Sequence, residues 1–155
     1  MKAAVLFIEG TNCEAESLRA LNKFGVNTET VHLKQLYGDC KKTLKRSLLD
    51  YDLIYLPGGW SSGDYVRAGA VFAARMKSRI GDQVAEYLGE GKHILGVCNG
   101  FQVLVEYGIL PGFNGVSENP EAVLTINNPP KFQCRPTYIK HLNPCQLTEG
   151  LEGGA

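Results

Sequence analysis

The apolar positions of this chain fall into short unbroken runs separated by longer stretches of helical spacing. Ala3-Ala4-Val5-Leu6-Phe7-Ile8 has no polar alternation, which predicts a strand buried on both faces. Thr11 and Glu14 form a capping-box pattern, predicting a helix that runs through Phe24 and is ended by Gly25. Thr28 to Leu33, with β-branched alternation, predicts a second strand. Lys41 to Leu49 reads as a helix that places Lys41, Lys42, Lys45 and Arg46 on one solvated side. Leu53-Ile54-Tyr55-Leu56 is a third strand, stopped by Pro57-Gly58-Gly59. A glycine-rich loop follows to Gly69, then a long amphipathic helix from about Val71 to Tyr87. His93 to Val97 is a fourth strand, and Phe101 to Glu106 again has helical spacing. After Pro111-Gly112 the period changes. Ala122 to Ile126 and Phe132 to Ile139 read as two neighbouring strands joined by Asn127-Asn128-Pro129-Pro130.

Strands alternating with helices predict an α/β fold: a doubly wound, mostly parallel sheet with helices on both faces. No internal repeat, low-complexity block or linker interrupts the chain, so residues 1–155 read as a single domain. In such sheets ligands bind beyond the carboxyl ends of the strands. Three loops are expected to meet there: Gly10-Thr11-Asn12 after the first strand, Pro57 to Gly69 after the third, and Cys98 after the fourth.

Composition narrows the function classes. Sixteen Lys and Arg balance sixteen Asp and Glu, so bulk charge points to neither nucleic acid nor a membrane surface. No apolar stretch approaches membrane-spanning length, and the first residues lack the pattern of a signal peptide. The five cysteines, Cys13, Cys40, Cys98, Cys134 and Cys145, include no Cys-x-x-Cys pair, which removes the usual signature of zinc or thioredoxin chemistry. Free thiols in a cytoplasmic protein without a metal are the expectation.

The chemistry concentrates in Gly96-Val97-Cys98-Asn99-Gly100. A strand that turns sharply into a helix, with small residues on both sides of a nucleophile, is a nucleophile elbow. Gly96 and Gly100 leave room for neighbouring backbone, and the thiol sits at a helix N-terminus, where unpaired N–H groups favour thiolate. The alternative is a small buried cysteine on a β–α turn. A thiolate attacking a carbonyl needs donors near the developing oxyanion. The backbone N–H groups of Asn99 and Gly59 are the candidates, Pro57-Gly58-Gly59 otherwise being only a tight turn. Gln102 shares a helix face with Cys98 and either binds the polar end of a small substrate or bonds nearby backbone. Asp64 and Arg67 are spaced for an i,i+3 ion pair.

The stretches Leu56-Pro57-Gly58-Gly59-Trp60-Ser61-Ser62-Gly63-Asp64-Tyr65-Val66-Arg67-Ala68-Gly69 and Gly96-Val97-Cys98-Asn99-Gly100-Phe101-Gln102 resemble the class I glutamine amidotransferases. More narrowly, they resemble the glutaminase subunits of phosphoribosylformylglycinamidine synthases of purine biosynthesis. Gly10-Thr11-Asn12-Cys13-Glu14, Gly108-Ile109-Leu110-Pro111-Gly112, and Asn127 with Lys131-Phe132-Gln133-Cys134-Arg135-Pro136 are similar to further stretches of that family. The resemblance runs from Met1 to about Gly153. It implies a flavodoxin-like sheet, and a Cys98 that attacks the side-chain amide of glutamine, forms a γ-glutamyl thioester and releases ammonia. Gly58, Gln102, Asn127 and Phe132 would contact glutamine. The implied partners are a large synthetase subunit, which would hold ATP and Mg, and a small accessory subunit. No cofactor is implied for this chain.

The family activates its cysteine with a histidine and an acidic residue in a His-Gly-Glu segment near the C-terminus. No such triplet occurs in this sequence. His93 begins the strand that leads to Cys98, and five strand residues span about 16 Å, so it lies at the wrong end. His32 is at the right edge of the sheet, and the sequence does not place His141. Each is expected to be structural or exposed. A chain truncated at its C-terminus is the expectation, with a naturally weakened relative as the alternative. Two other readings compete: a cysteine-dependent hydrolase or glyoxalase-like protein of the same wider fold, and an inactive binding subunit of a synthetase.

Overall fold

The computed structural model of the protein describes residues 1–138, 140–142 and 148. These fall into two compact units, Met1–Leu124 and Thr125–Ala155. In the first, strand β1 (Lys2–Phe7) runs through the centre, with Ala3, Ala4, Val5 and Leu6 all buried. It pairs in parallel with β2 (Asn27–His32) on one side and β3 (Leu53–Leu56) on the other, and β3 pairs in parallel with β4 (His93–Gly96). The order β2-β1-β3-β4 is the doubly wound arrangement expected. The chain winds outward from β1 to β2, then crosses back to β3. This reversal opens a crevice beyond the carboxyl ends of β1 and β3.

Strand alternation divides the core. Ala4, Leu6 and Ile8 join one apolar cluster with Phe72 and Met76 of α3 (Ala70–Gly89) and Leu104 of α4 (Asn99–Tyr107). Ala3 and Val5 turn to the opposite face, where α1 (Glu14–Lys23) packs on β1 and β2. A short helix, α2 (Leu33–Tyr37), adds Leu33 and Leu36 to the main core.

Several local expectations are corrected. Thr11 does not cap α1. Its Oγ1 accepts from the Ile8 N–H at 3.4 Å, and Cys13 is the N-cap. The backbone of Thr11 is committed to a bridge with Gly59, which holds it outside the helix. Lys41 to Leu49 is not a helix but two single 3₁₀ turns, Lys42–Leu44 and Leu48–Asp50. A helix there would stack Lys41 on Lys45 and Lys42 on Arg46, like charges at i,i+4. Arg46 instead leaves the solvated row and pairs with Glu29 at 3.1 Å. The second strand stops at His32, and Leu33, expected as its last residue, begins α2. The ring Nδ1 of His32 accepts from the Lys34 N–H at 3.1 Å and starts the helix.

The two strands expected over Ala122 to Ile126 and Phe132 to Ile139 are not formed among the described residues; Ile139 lies outside them. Pro129, Pro130 and Pro136 cannot donate to a ladder. Val123, Ile126, Phe132 and Tyr138 are all exposed, so pairing here would bury no apolar face.

Candidate active site

The elbow begins where β4 stops. Val97 continues the pairing with β3, its N–H donating to the Leu56 carbonyl at 3.1 Å. The chain then reverses at Cys98, whose φ of 55° and ψ of −115° are forbidding for a side chain and typical of a strained nucleophile turn. The Gly100 N–H donates to the Val97 carbonyl at 2.9 Å, and the Gln102 N–H to the Cys98 carbonyl at 3.2 Å, which starts α4. The flanking glycines are required by space. A β-carbon on Gly96 would sit 2.5 Å from the Gly100 carbonyl oxygen, and one on Gly100 would overlap the Leu56 carbonyl. Cys98 itself is exposed.

The loops expected beside Cys98 are there. A β-carbon on Gly58 would stand 3.2 Å from Cβ and 3.7 Å from Sγ of Cys98. Gly59 has a φ of 130°, and any side chain on it would strike the Asn12 backbone. Main-chain bonds stitch the first loop to the glycine loop: Cys13 N–H to the Gly58 carbonyl (3.3 Å), Trp60 N–H to the Gly10 carbonyl (3.3 Å) and Ser62 N–H to the Glu9 carbonyl (2.8 Å). Among the described residues, the non-glycine positions with left-handed φ are Ser62 (52°) and Asp64 (51°) in the glycine loop and Cys98 (55°) at the elbow. The fold concentrates its backbone strain around one thiol.

Asn99 ties the elbow to the glycine loop. It is 2 % exposed, as is Ser61. Its Oδ1 accepts from the Ser61 N–H at 3.1 Å and from the Ser61 hydroxyl at 2.6 Å. Its Nδ2 donates to Asp64 Oδ1 at 3.1 Å and to Gln102 Oε1 at 3.0 Å. Gln102 therefore bonds a side chain rather than nearby backbone. The expected Asp64–Arg67 pair is not made. Asp64 accepts from Asn99 and from the Gly69 N–H at 3.2 Å. Arg67 instead forms a bidentate pair with Glu106 of α4, at 2.6 and 2.7 Å. The positive φ at Asp64 turns the chain before Arg67, so helical i,i+3 spacing does not apply.

His32 and His93 stay away from this centre. His93 lies at the amino end of β4, opposite Leu53, as expected. His32 ends β2 at the correct edge, but two strands separate β2 from β4, about 14 Å at ordinary strand spacing. Its ring caps α2 and lies 3.7 Å from Glu9. Burial lowers its pKa below the ordinary value, so this approach is not an ion pair at neutral pH. His141 belongs to the second unit and bonds Thr148 Oγ1 at 3.0 Å. Asn127 and Phe132 also belong to that unit. Asn127 donates to the Lys131 carbonyl at 3.0 Å, and Phe132 is exposed. No cluster of metal-ligating side chains occurs among the described residues. Nor is any helix among them long and apolar enough to cross a membrane.

Two further residues, Ser61 and Cys13, belong to this region without being marked by motif. Ser61 carried no signal beyond its place in the loop. Cys13 did: the edge rule that placed Gly10 to Asn12 beside Cys98 applies equally one residue later.

A nucleophile elbow facing a glycine loop is a geometry shared by several enzyme classes, and comparison with known proteins separates them. The model of the CobB/CobQ-like glutamine amidotransferase domain matches residues 1–154. The chain belongs to this family. Among curated relatives of this amidotransferase domain is the phosphoribosylformylglycinamidine synthase subunit PurQ of Archaeoglobus fulgidus. It is 49 % identical over 144 residues, covering 90 % of this chain and 53 % of the relative. The PurQ subunit of Picrophilus torridus is 44 % identical, over 97 % of this chain and 56 % of that protein. A solved structure described as PurLQS from Thermotoga maritima aligns with a TM-score of 0.58 at 40 % identity, covering 72 % of this chain and 46 % of that one. The chain spans about half the length of the curated relatives it matches.

Proposed function

We propose that this amidotransferase domain hydrolyses glutamine at Cys98 and supplies the ammonia to a synthetase that makes formylglycinamidine ribonucleotide in purine biosynthesis. The observation that carries the reading is the strained Cys98 turn set against Gly58; the identity to PurQ subunits supports the choice of acceptor reaction. Cys98 Sγ attacks the carboxamide carbon of glutamine. The backbone N–H groups of Gly59 and Asn99 stabilise the oxyanion of the tetrahedral adduct. The adduct expels ammonia and leaves a γ-glutamyl thioester, and water then releases glutamate and restores the thiol. Gln102, held by Asn99, and Gly58 line the approach to the sulfur. Glutamine, a large synthetase subunit and a small accessory subunit are the partners, and ATP and Mg act on the synthetase. Neither His32 nor His93 is the general base.

Reaction with 6-diazo-5-oxo-norleucine followed by peptide mapping tests the site. Label on Cys98 is expected, and folded protein left unlabelled would count against a formed glutamine pocket. With the synthetase present, Cys98→Ser is expected to abolish glutamine-dependent amidation and spare the ammonia-dependent reaction. An equal fall in both would make Cys98 structural.

A further inference from the structure

Two thiols converge on the place where Gly58 has no side chain. The position its β-carbon would occupy is 3.5 Å from Cys13 Sγ and 3.7 Å from Cys98 Sγ. Gly58 puts no side chain there, and the bond from the Cys13 N–H to the Gly58 carbonyl holds the Cys13 backbone beside this position. Cys98 is exposed and Cys13 half-buried, so a small oxidant reaches the former first. We propose that Cys13 and Cys98 form a reversible oxidation site, in which Cys13 resolves an oxidised Cys98 as an intramolecular disulfide.

Peroxide is the oxidant, and the chemistry balances with it alone. The Cys98 thiolate attacks one peroxide oxygen. The O–O bond breaks, two electrons pass from sulfur to peroxide, and Cys98 becomes a sulfenic acid as hydroxide leaves and takes up the proton the thiol had released, giving one water. The Cys13 thiolate then attacks Cys98 Sγ, forming the S–S bond and expelling hydroxide, which takes a proton and leaves as a second water. Two thiols and one peroxide give one disulfide and two waters. Forming the bond requires side-chain rotation at both residues to bring the sulfurs to bonding distance. The disulfide removes the nucleophile while shielding it from further, irreversible oxidation.

The test reads thiols, so it stands or falls independently of glutamine hydrolysis. The folded protein is treated with a small excess of hydrogen peroxide, alkylated and mapped. Free thiols are expected to fall by two from the five in the sequence. A cross-linked peptide pair joining Cys13 and Cys98 is expected, and dithiothreitol should restore alkylation of both. In Cys13→Ser, with an unchanged circular dichroism spectrum, the same treatment should drive Cys98 to sulfinic acid that dithiothreitol does not reverse. Three results overturn the proposal. They are sulfinic acid at Cys98 in the wild-type chain with Cys13 still alkylated, a disulfide from Cys98 to Cys40 or Cys134 instead, and full alkylation of Cys98 after peroxide.

Discussion

Asn99→Ala tests whether the elbow and the glycine loop are one structural unit. The substitution removes four hydrogen bonds, but they are not equivalent. Asp64 and Gln102 are partly exposed, so water replaces what they lose. Ser61 is buried, and both its N–H and its hydroxyl lose their acceptor. Leaving a buried donor unpaired costs about 1–3 kcal/mol, so orphaning both should destabilise Asn99→Ala by about 2–6 kcal/mol. Ser61→Ala removes one bond and orphans nothing, since Asn99 Oδ1 keeps the Ser61 N–H; about 1 kcal/mol is expected. In the double variant the orphaned hydroxyl is gone. Its loss should fall short of the sum of the single losses by about 1–2 kcal/mol, in the range of measured coupling between contacting residues. Urea unfolding of the four proteins, with m unchanged, gives this cycle directly. Additivity within about 0.5 kcal/mol would show that the two loops are held by something other than this contact. Asn99→Asp adds a control. It keeps the acceptor for Ser61 but sets a carboxylate against Asp64, which raises the folded-state pKa of the pair above its unfolded value. Its stability deficit should shrink on acidification and grow as pH rises.

Gly100→Ala should be among the most damaging single-methyl changes in the chain, because the added carbon overlaps the Leu56 carbonyl. A loss of about 3 kcal/mol or more is expected in the same urea assay, and a loss below about 1 kcal/mol would mean that β3 and α4 separate easily. Glu9 bonds Lys34 at 2.9 Å and Arg75 at 2.7 Å. The Lys34 contact leads in lowering its pKa from 4.5 to about 2. With the folded value below the unfolded one, its contribution is complete above about pH 4.5 and is lost as pH falls toward 2. Glu9→Gln should therefore flatten the acid limb of the stability profile in that interval, and an unchanged limb refutes the assignment.

The sheet was legible because its strands are apolar without alternation: Ala3 to Ile8 has no other reading than burial on both faces. The elbow was legible for a different reason. Gly96 and Gly100 bracket Cys98 at a strand-to-helix junction, and only close backbone approach explains both. What failed depended on partners distant in sequence. Arg67 chose Glu106 over Asp64, and Arg46 chose Glu29 over solvent, at separations that local spacing does not encode. The spacing of Thr11 to Glu14 fits a cap, but a bridge to Gly59 claims its backbone first. The β-branched run near residue 125 has strand propensity without a surface to pack on, and propensity alone does not make a sheet.

The Asn99 side chain also carries a direction. A main-chain N–H can only donate, so Ser61 fixes which end of the Asn99 amide is oxygen. The Asp64 carboxylate can only accept, and it fixes the other end as nitrogen. Gln102 must then turn its oxygen toward Asn99, which leaves its NH₂ group as the face it offers elsewhere. The hydrogen-bond polarity of a residue one helical turn beyond the thiol is thus dictated by a peptide group 38 positions earlier than Asn99 in the chain. A molecule lodging beside Gln102 meets a donor, and an acceptor such as a carboxylate or carbonyl oxygen is the group it rewards.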